Sequence, residues 1–186
     1  MKIMIRYEEY MEMYDIVGAA MEVYNVLGRG MEEAIYQEAL ELELKSRGKE
    51  PHREVWLDTY YKGTKLKKQY KADFMVDDVI VELKSVSAFD TTHRAQLFNY
   101  MRITKQKRGI LMNFGGKGFA AERYLYHEDT DDFVLLKESN YRNYIKWKSF
   151  LGKVNSAGEI ESKLQVNFRV NIYEQMGFPD WFPLYF

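Results

Sequence analysis

The sequence predicts an α/β domain: a central mixed β-sheet flanked by helices, with an extra C-terminal segment. Three observations carry this. Two early stretches, residues 7–27 and about 31–47, place apolar side chains at three- and four-residue spacing, as helices do. Val79-Ile80-Val81 is a β-branched run joined to a preceding extended stretch by Asp77-Asp78, a natural hairpin turn. A third helix, from about Thr92 to Ile103, then separates this hairpin from another short apolar strand, a crossover of the kind that feeds a mixed sheet.

The first helix has its periodic residues at Tyr10, Tyr14, Val17, Met21 and Tyr24, with Glu8, Glu9, Glu12 and Asp15 near its start, where the helix dipole favours anions. Gly28-Arg29-Gly30 ends it. The second helix has a stripe of Ile35, Ala39 and Leu42 and closes on Lys45, Arg47 and Gly48. Val55 to Tyr61 reads as a strand, and Lys62-Gly63 turns the chain into Thr64 to Val76. The lysines at 62, 65, 67, 68 and 71 read as a solvated face or a protected edge rather than a phosphate patch, because they fall on both faces. Asp90 or Thr91 can cap the third helix, and His93 reads as a surface or capping histidine. Gly109 to Phe114 is a short buried strand. The following Gly115-Gly116-Lys117-Gly118 lacks the Ser or Thr and the spacing of a phosphate loop and reads as a turn, with a further strand from Phe119 to Tyr126.

The hairpin of residues 70–84 carries the chemistry. Glu82 and Lys84 are two apart on a strand and so share a face, with Val79, Val81 and Leu83 on the other. A turn centred on Asp77-Asp78 pairs Val76 with Val79, Met75 with Ile80, and Asp73 with Glu82. Two carboxylates would then stand opposite each other, a placement that requires a shared proton or a cation between them. Lys84 adds an ammonium beside the pair. The arrangement suggests a divalent-metal site. On the third helix Gln96 and Tyr100 share a face, and the Gln96 amide can both donate and accept towards a phosphate or a bound water.

Asp73 with Glu82-Leu83-Lys84 resembles the D…(D/E)xK signature of the PD-(D/E)XK nuclease superfamily. Gly30-Met31-Glu32-Glu33-Ala34-Ile35-Tyr36 resembles the GxxExxY motif of a small bacterial family within it, and Gln96-Leu97-Phe98-Asn99-Tyr100 matches a QxxxY element that follows the core motif in one branch. The resemblance covers about residues 10–127 and implies a restriction-endonuclease-like core. It implies metal-dependent hydrolysis of phosphodiester bonds in nucleic acid, DNA before RNA, with Mg²⁺ or Mn²⁺ as cofactor. Asp73, Glu82, the Leu83 carbonyl and Glu33 would be metal ligands. Asp73, Glu82, Lys84 and Gln96 would be the catalytic set, and Gln96, Tyr100 and Tyr36 would contact substrate. Lys-Ala stands before Asp73 where the superfamily's name has proline.

Composition limits the alternatives. The chain of 186 residues carries a net charge of −1, so a coat protein that grips nucleic acid indiscriminately is not expected. With no cysteine there is no disulfide, thiolate zinc site or thiol nucleophile. No apolar stretch approaches a membrane span, no secretory pattern opens the chain, and the cytoplasm is the expected location. The expected organisation is a nuclease-like domain at 1–137 and an extension at 138–186. The extension has a helix near Tyr141–Phe150, a weak strand over 159–170, and a densely aromatic end, Phe178 to Phe186. Such an end covers its own domain, packs on a partner or offers stacking platforms for bases, and a homo-oligomer formed through it is one expectation. The rival functional reading is a non-catalytic nucleic-acid-binding or assembly module that keeps the fold.

Overall fold

The structure is a computed structural model that describes residues 7–136, with side chains from residue 11. The expectations for the helix near 141–150, the strand over 159–170, the aromatic end and any oligomer built through it lie outside the described residues. Helix α1 (Tyr7–Leu27) and helix α2 (Glu33–Ser46) come first. They are followed by strands β1 (Pro51–Leu57), β2 (Tyr60–Tyr61), β3 (Thr64–Lys65), β4 (Tyr70–Val76) and β5 (Val79–Lys84). Helix α3 (Thr91–Thr104) leads into β6 (Arg108–Asn113), β7 (Ala120–His127) and β8 (Asp132–Leu135).

Six strands form one sheet in the order β1-β4-β5-β6-β7-β8, and β2 and β3 pair separately as a small ribbon. Among the described residues β5 and β6 alone are parallel, because α3 carries the chain across the sheet between them, and the other pairings are antiparallel. The sheet is therefore mixed. Among the described residues no helix is long and apolar enough to cross a membrane.

Two apolar layers hold the sheet. On one face Met13, Ile16 and Ala20 of α1 and Tyr36, Leu40 and Leu44 of α2 pack with Phe74, Val76, Val79, Val81 and Leu83. On the other, Leu97, Tyr100 and Met101 of α3 pack with Ile80, Leu111, Tyr124 and Tyr126. Each fully buried Leu or Ile contributes about 1.5–3 kcal/mol, so either layer far outweighs any surface ion pair. The buried faces of α1 and α2 differ from the expected stripes. Tyr14, Met21, Ile35 and Leu42 are exposed, and the stripe is Met13–Ile16–Ala20 on α1 and Tyr36–Leu40–Leu44 on α2. Alanines at 19 and 20 let α1 approach closely, while tyrosines keep a hydroxyl that water can solvate.

Strand β1 starts and stops four residues earlier than expected, and the chain beyond Asp58 becomes the separate ribbon. Proline is tolerated at Pro51 because it is the first residue of an edge strand. The turn at Lys62-Gly63 has φ of 48° and 79°, the left-handed pair a two-residue hairpin prefers. Asp90 caps α3, accepting from the amides of Thr92 (2.8 Å) and His93 (2.9 Å), while the His93 ring accepts from the Asp90 amide. His93 is thus a capping residue. At the far end of the hairpin, buried Arg108 holds Glu12 of α1 and Asp78 of the turn together, anchoring β4 and β5 to the helical layer.

Candidate active site

The hairpin register Val76↔Val79, Met75↔Ile80 and Phe74↔Val81 follows from the Asp77-Asp78 turn, where Asp77 adopts φ 53°. The paired ladder ends there, one step short of Asp73. In place of a backbone carbonyl, the Asp73 side chain takes up the next strand's amide: its Oδ2 accepts from the Leu83 N–H at 2.7 Å. Its Oδ1 accepts from the Gln37 amide of α2 at 2.6 Å. A carboxylate thus sits where two strands begin to part, held from the sheet on one side and from a helix on the other.

Glu82 lies on the central strand and is 1% exposed, although a carboxylate is among the side chains least often buried. Its Oε1 accepts from the Lys84 ammonium and from the Gln96 amide, each at 2.6 Å. Its Oε2 is buried with no hydrogen-bond donor among the described residues. Burial, and next the neighbouring Asp73 charge, push the Glu82 carboxyl well up. Burial likewise pushes Asp73 up, opposed by the Leu83 N–H and Lys84. Two desolvated negative charges oppose each other, so each carboxyl holds a proton more tightly than it would in water. Glu33, at the start of α2, adds its negative field to both.

Asp73, Glu82, Lys84 and Gln96 are therefore brought together. Tyr100 supports them: its hydroxyl accepts the second Gln96 amide hydrogen at 2.7 Å, and burial pushes its pKa up to about 12, so it stays neutral. With both of its donors used inside the protein, Gln96 orients the Glu82 carboxylate. The Leu83 side chain points into the helical layer, and its backbone joins the site through its amide. Tyr36 is not brought to the site. It is fully buried, stacked on Phe114 at 4.4 Å, and its hydroxyl donates to the Gly28 carbonyl, which fixes the turn before α2. Its part in the GxxExxY stretch is thus to set where Glu33 begins its helix.

Sequence reasoning missed Gln37. Its signal is its place four residues after Glu33, hence on the same helix face, a signal hidden by the competing Ile35–Ala39–Leu42 stripe. It also missed Asn113, which is 2% exposed. The Asn113 Oδ1 accepts from the amides of Val86 (3.1 Å) and Gly115 (3.0 Å), tying the exit of β5 to the exit of β6. Gly115 is required by this crossing: a Cβ there would lie 2.5 Å from backbone atoms of Ser85 and Val86. Gly115→Ala is accordingly expected to cost about 1–3 kcal/mol, measured by urea unfolding. An unchanged midpoint would mean that the loop after Lys84 yields freely.

The donor set suits a hard divalent cation in its chemistry: two carboxylates driven together, one oxygen of them lacking a donor, and a third carboxylate acting on both. Among the described residues, however, no three His, Cys, Asp or Glu side chains already form a metal-binding group. In this arrangement the Lys84 ammonium supplies the positive charge beside Glu82.

A family model described as the PD-(D/E)XK nuclease superfamily matches residues 10–123. A solved structure titled "Crystal structure of SSO0001" is 21% identical, over 64% of this chain and 62% of that one, with a TM-score of 0.38. The chain thus spans less than two thirds of that protein's length. No curated protein matches it.

Proposed function

Because the chain belongs to the PD-(D/E)XK nuclease superfamily, we propose that it hydrolyses phosphodiester bonds of nucleic acid, DNA before RNA, with a divalent metal. Membership of the GxxExxY branch is part of the same reading. The observation that carries it is the desolvated Asp73–Glu82 pair with Lys84 2.6 Å from Glu82 at the end of the central strand. A structural ion pair alone would not need the second, repelling carboxylate.

Asp73, Glu82 and the Leu83 carbonyl would hold Mg²⁺ or Mn²⁺, with Glu33 as a further carboxylate, and the bound cation supplies Lewis acidity towards water and phosphate. With that cation as its counter-charge, Glu82 would no longer need the Lys84 ammonium. Lys84 then donates to the attacking water or to the phosphate oxygen on which negative charge grows. Gln96, braced by Tyr100, holds the plane of the Glu82 carboxylate, and Gln37 does the same for Asp73. Both act as positioning residues. The domain responsible would be residues 1–137, with 138–186 as an extension.

The direct test is cleavage of single- and double-stranded DNA and RNA with Mg²⁺ or Mn²⁺. Glu33→Gln tests the third carboxylate. Mg²⁺ affinity by calorimetry is expected to fall about tenfold or more while helix content stays the same. Unchanged affinity would remove Glu33 from the ligand set. A second reading, a non-catalytic binding or assembly module on the same fold, is favoured by one observation. Both Asp73 oxygens already have protein donors, Gln37 and the Leu83 amide. That reading expects no measurable divalent-metal binding by the wild-type protein.

A further inference from the structure

Residues 60–71 contain five lysines and three tyrosines and no carboxylate, in a chain whose net charge is −1. The structure makes them an arm. Among the described residues strands β2 and β3 pair only with each other, through Tyr60↔Lys65 and Tyr61↔Thr64. An isolated two-stranded hairpin is marginal in water. This one is stapled at its base. Thr59 accepts the Leu66 amide at its carbonyl and donates its hydroxyl to the Lys68 carbonyl, and Asp58 receives both Lys65 and Gln69.

The arm is ordered yet its large rings are uncovered: Tyr60 and Tyr61 are each 62% exposed, and Trp56 at the base is 63% exposed. Lysines lie beside the rings, Lys62 over Tyr61 at 5.5 Å and Lys71 over Trp56 at 5.3 Å. Lys65 and Lys71 are taken up by Asp58 and Glu54. Lys67 and Lys68 are exposed and form no ion pair among the described residues. The charges do fall on both faces of the ribbon. A free-standing arm with no covered face can nevertheless use both, which an edge strand of the main sheet cannot.

We infer that the β2–β3 arm binds a single-stranded segment of nucleic acid. Lys62, Lys67 and Lys68 take the phosphates, and Tyr60, Tyr61 and Trp56 stack unpaired bases. The exposed rings favour a single strand over a duplex, because paired bases hide their faces within the helix. The arm is continuous with the candidate active site. Its return leads into β4 at Tyr70, whose ring lies 5.7 Å from that of Tyr100, and Tyr100 braces Gln96 against Glu82. Asp73 follows three residues after Tyr70 on the same strand. The inference rests on the proposed hydrolase reading only in calling this segment substrate; the binding stands by itself.

The test is fluorescence anisotropy of labelled 20-nucleotide DNA and RNA single strands and a 20-base-pair DNA duplex. It is run in EDTA, so that cleavage plays no part. Wild type is compared with Tyr60→Ala/Tyr61→Ala and Lys67→Ala/Lys68→Ala, each first shown to melt as wild type does. Loss of the two tyrosines is expected to weaken single-strand binding roughly tenfold or more and to leave duplex binding nearly unchanged. Loss of the two lysines is expected to weaken both and to reduce the salt slope for single strands by about 1. The two single strands show which sugar is preferred. Single-strand affinity unchanged in both variants, a wild-type preference for duplex, or no wild-type binding at all would overturn the inference. Binding through the arm without cleavage under Mg²⁺ or Mn²⁺ would instead defeat the hydrolase reading alone. Cleavage with a neutral arm would do the reverse.

Discussion

Asp73→Asn is expected to reduce metal-dependent cleavage to background while raising the thermal stability of the metal-free protein at pH 8. The two effects share one cause. Both Asp73 and Glu82 carry protons more tightly in the folded protein than in the unfolded chain, chiefly through burial. Between about pH 4, the ordinary carboxyl range, and about pH 8, to which Glu82 is pushed, the native state therefore binds more protons than the unfolded one. Stability must fall as pH rises through that window. Asparagine removes one of the two charges. It keeps an oxygen that can accept the Leu83 amide, and Gln37 can turn its own amide oxygen towards the new NH₂ group. The gain at pH 8 is on the order of 1 kcal/mol, roughly 3 °C in Tm for a chain of this size, and it should shrink towards pH 5. Scans in EDTA at both pH values check this, with cleavage assayed in parallel. A Tm well below wild type at pH 8 would make Asp73 a structural hydrogen-bond partner. Mg²⁺ should stabilise wild type more at pH 8 than at pH 5, because it competes with protons for the same oxygens.

Lys84→Met is expected to move the metal-free protein the other way. Methionine keeps much of the stem of lysine but takes the ammonium from Glu82, whose remaining donor is Gln96. Stability at pH 8 should fall, and it should recover towards pH 5 as Glu82 takes up its proton without conflict. The emptied pair is more receptive to a cation, so Mg²⁺ binding should persist or tighten. Turnover should nonetheless drop by on the order of 10²-fold or more, since a donor aimed at developing charge is gone. A folded, metal-loaded Lys84→Met protein that cleaves as wild type does would remove Lys84 from the chemistry. Opposite stability shifts in the two variants, with loss of cleavage in both, are hard to obtain from a relic of the fold.

Much of this arrangement was legible in the sequence, and what was not has identifiable causes. The Val79–Val81 run and the Asp77-Asp78 turn specify the hairpin register, so Glu82 and Lys84 could be placed on one face. The end of the ladder at Phe74 could not be read, because it depends on Asp73 choosing a backbone amide over its cross-strand neighbour. On α2 two apolar stripes compete, Ile35–Ala39–Leu42 and Tyr36–Leu40–Leu44, offset by one or two positions, and only packing against the sheet decides between them. Strand β8 was missed because it begins in the acidic run Glu128-Asp129-Thr130-Asp131-Asp132, which reads as loop. The aromatic character of Tyr60 and Tyr61 prolonged β1 on paper, whereas Asp58 and Thr59 end it by capturing partners across the base of the arm.

The hydrogen bond from the Leu83 amide to Asp73 makes one backbone proton a gauge of the site. In ¹H–¹⁵N spectra the Leu83 cross-peak should lie far downfield while it faces a carboxylate at 2.7 Å, and should move as Asp73 takes up a proton or yields electron density to a cation. Leu83 sits on a central strand paired with β6, so its exchange with solvent is otherwise governed by opening of the sheet. Titration with acid or Mg²⁺ thus becomes visible at a residue that never ionises, in the resting protein and with no substrate present.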